Sequence, residues 1–480
     1  MTLEKEIAGG ESAQLEFKEA CSKDSLTYAK TVVAFANGRG GRIIFGVEND
    51  SGKIVGIPRE KVFSEMDAIV DAIANTCKPA VPVSIKAATV GKEVVVVLDV
   101  ASGDKTPYYI NSLGIRKGTF VRVGATSRQA EEHKLKGLIL AGENLSFDRQ
   151  PVTKIKLAQS DVEEVCRMMT DVAKRNCASD DERESVKPMT RERMESMELL
   201  VRSGKHIMPT FGYCFVAGLV APGILEPRIK CGMFRGTMKG DFIDKRDCSG
   251  TIVNQIDQAY QFVVRNIRVG SEIVGTGRRE KYELPLSAIR EAICNAVFHR
   301  DYLEPSSVYV ALYDDRLEIL SPGELVREIT LEDAKNGFSK LRNHALGMAL
   351  EYMREVEGWG GGISRYFTAC AKMGLAEPFV GEEAGFFKVV FYRKKLVRSR
   401  KTEPINEPIN EPINEPINVV LMQMIGDEPG IAKPQLVMKV GKSRATVTRA
   451  LSVLCKTGKI EYRGSKKTGG YYVRGGELLV

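Results

Sequence analysis

The sequence predicts a multidomain protein of the α+β class, and three observations carry that expectation. Its 480 residues exceed what a single hydrophobic core usually supports. Strand-like runs rich in β-branched residues alternate with amphipathic helical runs over most of the chain. A proline repeat then sets off a small basic terminal unit. Apolar and charged shares of 43% and 28% are those of a globular protein and exclude a disordered or fibrous one. No apolar run approaches the roughly 20 residues that a membrane helix needs. Met1 to Gly10 carries Glu4, Lys5 and Glu6 where a secretion signal needs an apolar stretch. The expectation is a soluble, cytoplasmic protein without a membrane partner. Ten cysteines lie between Cys21 and Cys455 with no C-x-x-C pair, and only Cys294 has a histidine, His299, close by. That usage predicts reduced, mostly buried thiols.

Taken in order, residues 1–145 form the first expected domain. Gln14–Lys18 predicts a strand, Ser25–Asn37 a helix, and Arg42–Asn49 a strand after the Gly38-Arg39-Gly40-Gly41 turn. Glu60–Cys77 predicts a second helix, followed by strands at Val83–Ala88, Glu93–Val100 and Thr119–Val123. The run Glu11-Ser12-Ala13-Gln14-Leu15-Glu16-Phe17-Lys18, the stretch Phe35 to Glu48 around the glycine turn, and Phe120 to Ser127 together resemble the Schlafen AlbA-type α/β domain. The resemblance implies nucleic-acid binding. It also implies, by analogy with metal-dependent ribonucleases of that family, a catalytic set of Glu11, Glu16 and Asp50 with Glu11, Glu16 and Glu48 as Mg²⁺ or Mn²⁺ ligands. Clustered carboxylates are what a hydrolase needs to hold such an ion against a phosphate. The alternative is that Glu11 and Glu16 pair with Lys18 or Arg42 on a half-buried sheet.

Residues 150–275 form a mixed middle domain, with helices expected near Ser160–Arg175 and Ile252–Ile267. Residues 276–395 open with a helix at Leu286–His299 and continue through strands Val308–Tyr313 and Arg316–Leu320. On an ideal helix Glu291, Asn295 and His299 form a polar stripe within about 80°, nearly opposite Leu286, Ile289, Ile293 and Val297. Arg290 to Tyr302, Ser321-Pro322-Gly323-Glu324-Leu325, Arg342-Asn343 and Glu357 to Ile363 resemble a divergent GHKL-type ATP-binding domain, an α/β sandwich. The resemblance implies ATP with Mg²⁺ as the cofactor. Glu291 would orient water, Asn295 would ligand the metal, and the backbone of Gly358, Gly360 and Gly362 would meet the phosphates. The family's D-x-G-x-G motif is replaced by Ser321 to Leu325, with no aspartate, so adenine discrimination is expected to be weak. No G-x-x-x-x-G-K-[ST] occurs, which excludes a P-loop motor.

Residues 396–418 form the linker. Its fourfold repeat Glu-Pro-Ile-Asn, Glu403 to Asn418, places a proline every fourth residue and forbids both helix and ladder. Residues 419–480 hold 11 Lys/Arg against 4 Asp/Glu, a charge of +7 out of +8 for the whole chain. Helices are expected at Val419–Ile425 and Ala432–Val440, with a third from Ser443 to about Lys456. Strands Ile460–Arg463 and Tyr471–Val473 follow, joined by a basic glycine-rich tip. This order is that of a winged helix, and it resembles the helix-turn-helix units of bacterial transcriptional regulators. Ser443, Arg444, Thr446, Thr448 and Arg449 would face base edges, and Lys466 and Lys467 would face phosphate.

The leading reading is a DNA-binding transcriptional regulator with a ligand- or nucleotide-sensing centre. Duplex DNA is its first expected partner, while RNA and a second copy of the chain stay open. The alternative is an enzyme, a metal-dependent nuclease or a weak ATPase.

Overall fold

A computed structural model describes residues 2–20, 25–49, 51–204, 206–220, 226–274, 277–356, 361–394, 417–440, 444–465 and 469–474. They belong to two compact units, Met1–Leu396 and Val397–Val480. Among the described residues no helix is long and apolar enough to cross a membrane.

The first unit begins with a four-stranded sheet in the order Leu15–Lys18, Gly41–Phe45, Glu93–Val100, Val83–Val90. The first two strands run parallel and the other neighbours antiparallel. Strand side chains alternate between faces, and the core records it. Ile43, Phe45, Val96 and Leu98 pack with Val32, Phe35, Ile69 and Ile73 from helices Leu26–Asn37 and Val62–Thr76. Leu15, Phe17, Ile44, Val95 and Val97 pack with Ile7 of helix Leu3–Ala8 on the other face. The expected strand Arg42–Asn49 stops at Phe45. Gly46 has φ +96, which leaves the extended region and turns the chain. Glu48 therefore lies in a turn that closes on Lys53, not on a strand.

A six-stranded sheet follows, ordered Phe242–Cys248, Ile229–Phe234, Val308–Leu312, Arg316–Pro322, Phe386–Tyr392, Phe379–Glu383. Only Ile229–Phe234 and Val308–Leu312 are parallel; the other pairs are antiparallel. The sheet thus draws strands from both sides of the 275/276 border expected from sequence. One apolar core joins it to helices Gln159–Arg175, Ile252–Asn266, Leu286–Phe298 and His344–Tyr352. Ile252–Asn266 begins where the Thr251 hydroxyl accepts a hydrogen bond from Asn254 N–H at 3.2 Å, a side-chain N-cap.

The second unit contains helices Ile417–Asp427, Lys433–Val440 and Arg444–Lys456, then an antiparallel hairpin of Ile460–Arg463 and Gly470–Val473. Leu421, Ile425, Leu436, Val447, Leu451, Leu454, Ile460 and Tyr471 form its core.

Candidate functional site

Helix Leu286–Phe298 buries Ile289, Ile293 and Val297, so its opposite stripe is left for something else. That stripe does not face open solvent. Glu291, Asn295 and His299 line a cavity of about 750 Å³, within the range of sites that enclose a small molecule. The far wall comes from Ser321 and Gly323 to Leu325, at the end of strand Arg316–Pro322, and from Gly361, Gly362, Arg365 and Tyr366, where helix Gly362–Lys372 begins.

Helices Leu286–Phe298 and Gly362–Lys372 touch directly beside the cavity. Asn295 Nδ2 donates to Tyr366 Oη at 2.7 Å, which leaves the amide oxygen as the group able to meet a cation. Arg365 Nη2 donates to Glu291 Oε1 at 2.6 Å. A Cβ on Gly362 would lie 2.8 Å from both Asn295 Nδ2 and Glu291 Oε1, so a larger residue there would displace those two side chains. Gly323 has φ +97, and a Cβ there would lie 2.6 Å from Asp301 Cβ; the wall needs glycine twice over. Burial, with Arg342 nearby, lowers the His299 imidazole to about 4. It is neutral near pH 7 and brings no positive charge to an anion. Burial pushes the Tyr366 hydroxyl far up, so it stays a neutral partner for Asn295. Arg342 donates to the Glu324 carbonyl and stands 3.4 Å from Asp301, while its Nε is buried without a hydrogen-bond partner among the described residues.

Of the expected cofactor residues, Glu291, Asn295 and Gly362 come together; Gly358 and Gly360 lie outside the described residues. Arg365 and Tyr366 were not expected. Their spacing of three and four residues from Gly362 puts them on the first turn of the helix those glycines open, a signal the sequence carried.

The acids of the first domain behave differently. Glu11 Oε1 accepts from the Phe17 N–H at 2.8 Å and closes the loop before the strand. Glu16 is buried. It meets Lys18 Nζ at 2.7 Å, Arg122 Nη1 at 2.5 Å and the Thr31 hydroxyl at 3.0 Å. Glu48 accepts from the Ser51 hydroxyl, and Asp50 lies outside the described residues. Among the described residues no group of three His, Cys, Asp or Glu is placed to hold a metal ion. The expected Glu11, Glu16 and Glu48 metal set is therefore not assembled there, because two cations already neutralise Glu16 and the strand ends before Glu48.

In the second unit Thr446, Thr448 and Arg449 are exposed, whereas Val447, Ala450, Leu451 and Leu454 of the same helix are buried. Ser443, Lys466 and Lys467 lie outside the described residues, as does the side chain of Arg444.

Comparison with known proteins finds a Schlafen, AlbA_2 domain at residues 11–131. It finds an ATPase-like domain at residues 306–391, matching the family described as "Putative ATP-dependent DNA helicase recG C-terminal". The second match begins after the helix that carries Glu291 and Asn295, so those two residues rest on geometry. Over 73 residues the chain is 34% identical to an uncharacterized ATP-binding protein of Ureaplasma parvum, which covers 15% of this chain and 21% of that protein. The chain thus spans about a fifth of the length of that curated relative. Among solved structures, the DIP2311 protein from Corynebacterium diphtheriae is 17% identical over 98% of this chain and 96% of its own, with a TM-score of 0.41. The N-terminal domain of a RecG-related helicase-like protein from Nitrosomonas europaea is 26% identical, covering 27% of this chain and 92% of its own, with a TM-score of 0.21.

Proposed function

We propose that this chain is a DNA-binding regulator whose central cavity binds a nucleotide with Mg²⁺. The observation that carries the proposal is the cavity itself, which gathers Glu291, Asn295, Gly361, Gly362 and the Ser321–Leu325 segment around one space of about 750 Å³. Asn295 would ligand Mg²⁺ through its amide oxygen. The bare backbone at Gly361 and Gly362 would approach the phosphates at a helix start. Mg²⁺, when bound, would neutralise phosphate charge, and Glu291 would orient a water. The name of the Ureaplasma relative, an ATP-binding protein, supports the same ligand class, and the Schlafen, AlbA_2 match supports a nucleic-acid partner.

The C-terminal unit is read as a winged helix that binds duplex DNA. Support comes from its charge of +7 and from the exposed Thr446, Thr448 and Arg449 beside a buried face. The regulator is preferred to a metal-dependent nuclease because Glu16 is held by Lys18 and Arg122.

Calorimetry on the full chain with Mg·ATP and Mg·GTP tests the cavity. Both should bind with similar affinity, since Ser321 to Leu325 contains no aspartate, and Asn295→Ala should weaken both at least tenfold. Absence of binding by either nucleotide would refute the cavity reading. For the second unit, a chain ending at Asn418 should lose duplex binding, and undiminished affinity would sink that assignment.

A further inference from the structure

We propose that Arg39, in the glycine turn of the AlbA_2 domain, is a positioning residue for the cavity. Through Glu382 it fixes the rim segment Gly323 to Leu325, so that nucleotide occupancy and the seating of that domain on the rim become one linked equilibrium. The proposal rests on the reading of the cavity as a nucleotide site.

The geometry is a clamp on the N–H and the carbonyl of one residue, Leu325. Arg39 Nη1 and Nη2 donate to the two carboxylate oxygens of Glu382 at 2.8 and 2.6 Å, the two-pronged pairing that arginine's planar fork allows and lysine's ammonium does not. Arg39 Nη2 also donates to the Leu325 carbonyl at 3.3 Å. Glu382 Oε1 in turn accepts from the Leu325 N–H at 2.7 Å. Both polar ends of Leu325, a residue of the cavity wall, are therefore held by the same ion pair. The rest of the segment is fixed around it. Gly323 N–H donates to the Gly385 carbonyl at 2.9 Å, and the Glu324 carbonyl accepts from Arg342.

The pair is only partly open to water, with side-chain exposures of 30% for Arg39 and 20% for Glu382. Burial works to raise the Glu382 carboxyl, but the bonds from Arg39 and from Leu325 N–H outweigh it and hold the group below its ordinary value. The helix that follows the AlbA_2 domain, Glu132–Gly142, also reaches the central domain, with Lys134 Nζ 3.6 Å from Glu304 and 3.8 Å from Asp301. Losing the Arg39 clamp therefore leaves the domain attached, and the clamp can be tested without undoing the fold.

By linkage, whatever Arg39 contributes to ordering the rim it contributes to nucleotide affinity, and the nucleotide returns the same factor to the clamp. Two readouts on the full chain follow: amide hydrogen exchange over residues 323–325, and Mg·ATP affinity by calorimetry. Arg39→Ala should speed exchange there several-fold and weaken Mg·ATP binding about 5–10-fold. Glu382→Gln should do the same, and the double variant should lose less than the sum of the two single changes, because they share the ion pair while each partner also bonds Leu325. Arg39→Lys should restore part of the loss. Saturating Mg·ATP should in turn slow exchange at the Gly40 amide. Unchanged exchange in Arg39→Ala overturns the clamp, and faster exchange with unchanged Mg·ATP affinity overturns the linkage. A wild-type chain that binds no nucleotide, yet whose Arg39→Ala variant exchanges faster at the rim, would refute the nucleotide reading and leave the clamp standing.

Discussion

Glu16 and Glu291 each accept a short hydrogen bond from an arginine, Arg122 at 2.5 Å and Arg365 at 2.6 Å. Around Glu16 the space is filled. Lys18 and Thr31 reach the carboxylate, and Arg122 is itself held by the Ser12 carbonyl, the Ser127 hydroxyl and the Phe35 ring 4.9 Å away. Glu291 instead stands on a cavity wall, and its arginine is 42% exposed against 7% for Arg122. Glu16 is enclosed by cations and hydroxyls and serves the fold; Glu291, paired with Arg365, lines the cavity that we read as a ligand site. The residue type is the same, and the surroundings set the role.

Removing each acid separates these roles, most sharply at Glu16. Glu16→Ala strands a buried arginine and should cost about 3–5 kcal/mol in urea unfolding; a loss below about 1 kcal/mol would mean that the network is not structural. The next effect belongs to the cavity's neutral histidine. Unfolded, His299 takes its proton near 6.5, and folded only near 4. Between those values the unfolded chain binds more protons, so folding stability falls as pH drops from about 6.5 to about 4. The fall should be on the order of 1–3 kcal/mol, and it should be smaller in His299→Asn across the same range. A parallel pH profile in the two proteins would contradict the lowered, neutral imidazole. Thr31→Val keeps the shape and drops the buried hydrogen bond to Glu16 and a longer one from Ser127, for about 1 kcal/mol. Smallest of all, Glu291→Gln should change stability by less than about 1 kcal/mol, as for a partly exposed pair. A larger loss would place Glu291 with Glu16 and erase the contrast.

Much of the local structure was legible. The helix expected at Leu286–His299 runs Leu286–Phe298, because a four-residue apolar spacing and its polar stripe are both written in consecutive positions. The strand Glu93–Val100 agrees to the residue, because its continuous run of β-branched residues favours a strand buried on both faces. The unreadable parts depend on distance along the chain or on backbone angle. Arg122 closes on Glu16 across 106 positions, and no local pattern announces that meeting, so the family resemblance, which implied a metal, had nothing from the local sequence to weigh against it except the neighbouring Lys18. Gly46 ends its strand through a positive φ inside an otherwise apolar run. The polar stripe of Glu291 and Asn295 was visible, but whether it faced water or a cavity depended on where Gly362 and Ser321 came to rest.

The six-stranded sheet also sets an order of events during synthesis. Ile229–Phe234 can pair with Phe242–Cys248 as soon as both have left the ribosome, because they are close in sequence and antiparallel. Its other edge must wait for Val308–Leu312, the parallel neighbour, and parallel pairing at that separation is slow. In the interval, a nascent chain carries an open strand edge and unburied apolar residues such as Ile229 and Cys231, whose cover comes from later helices. Such an edge is a template for pairing with another chain. That edge is covered only once Val308–Leu312 has emerged and paired.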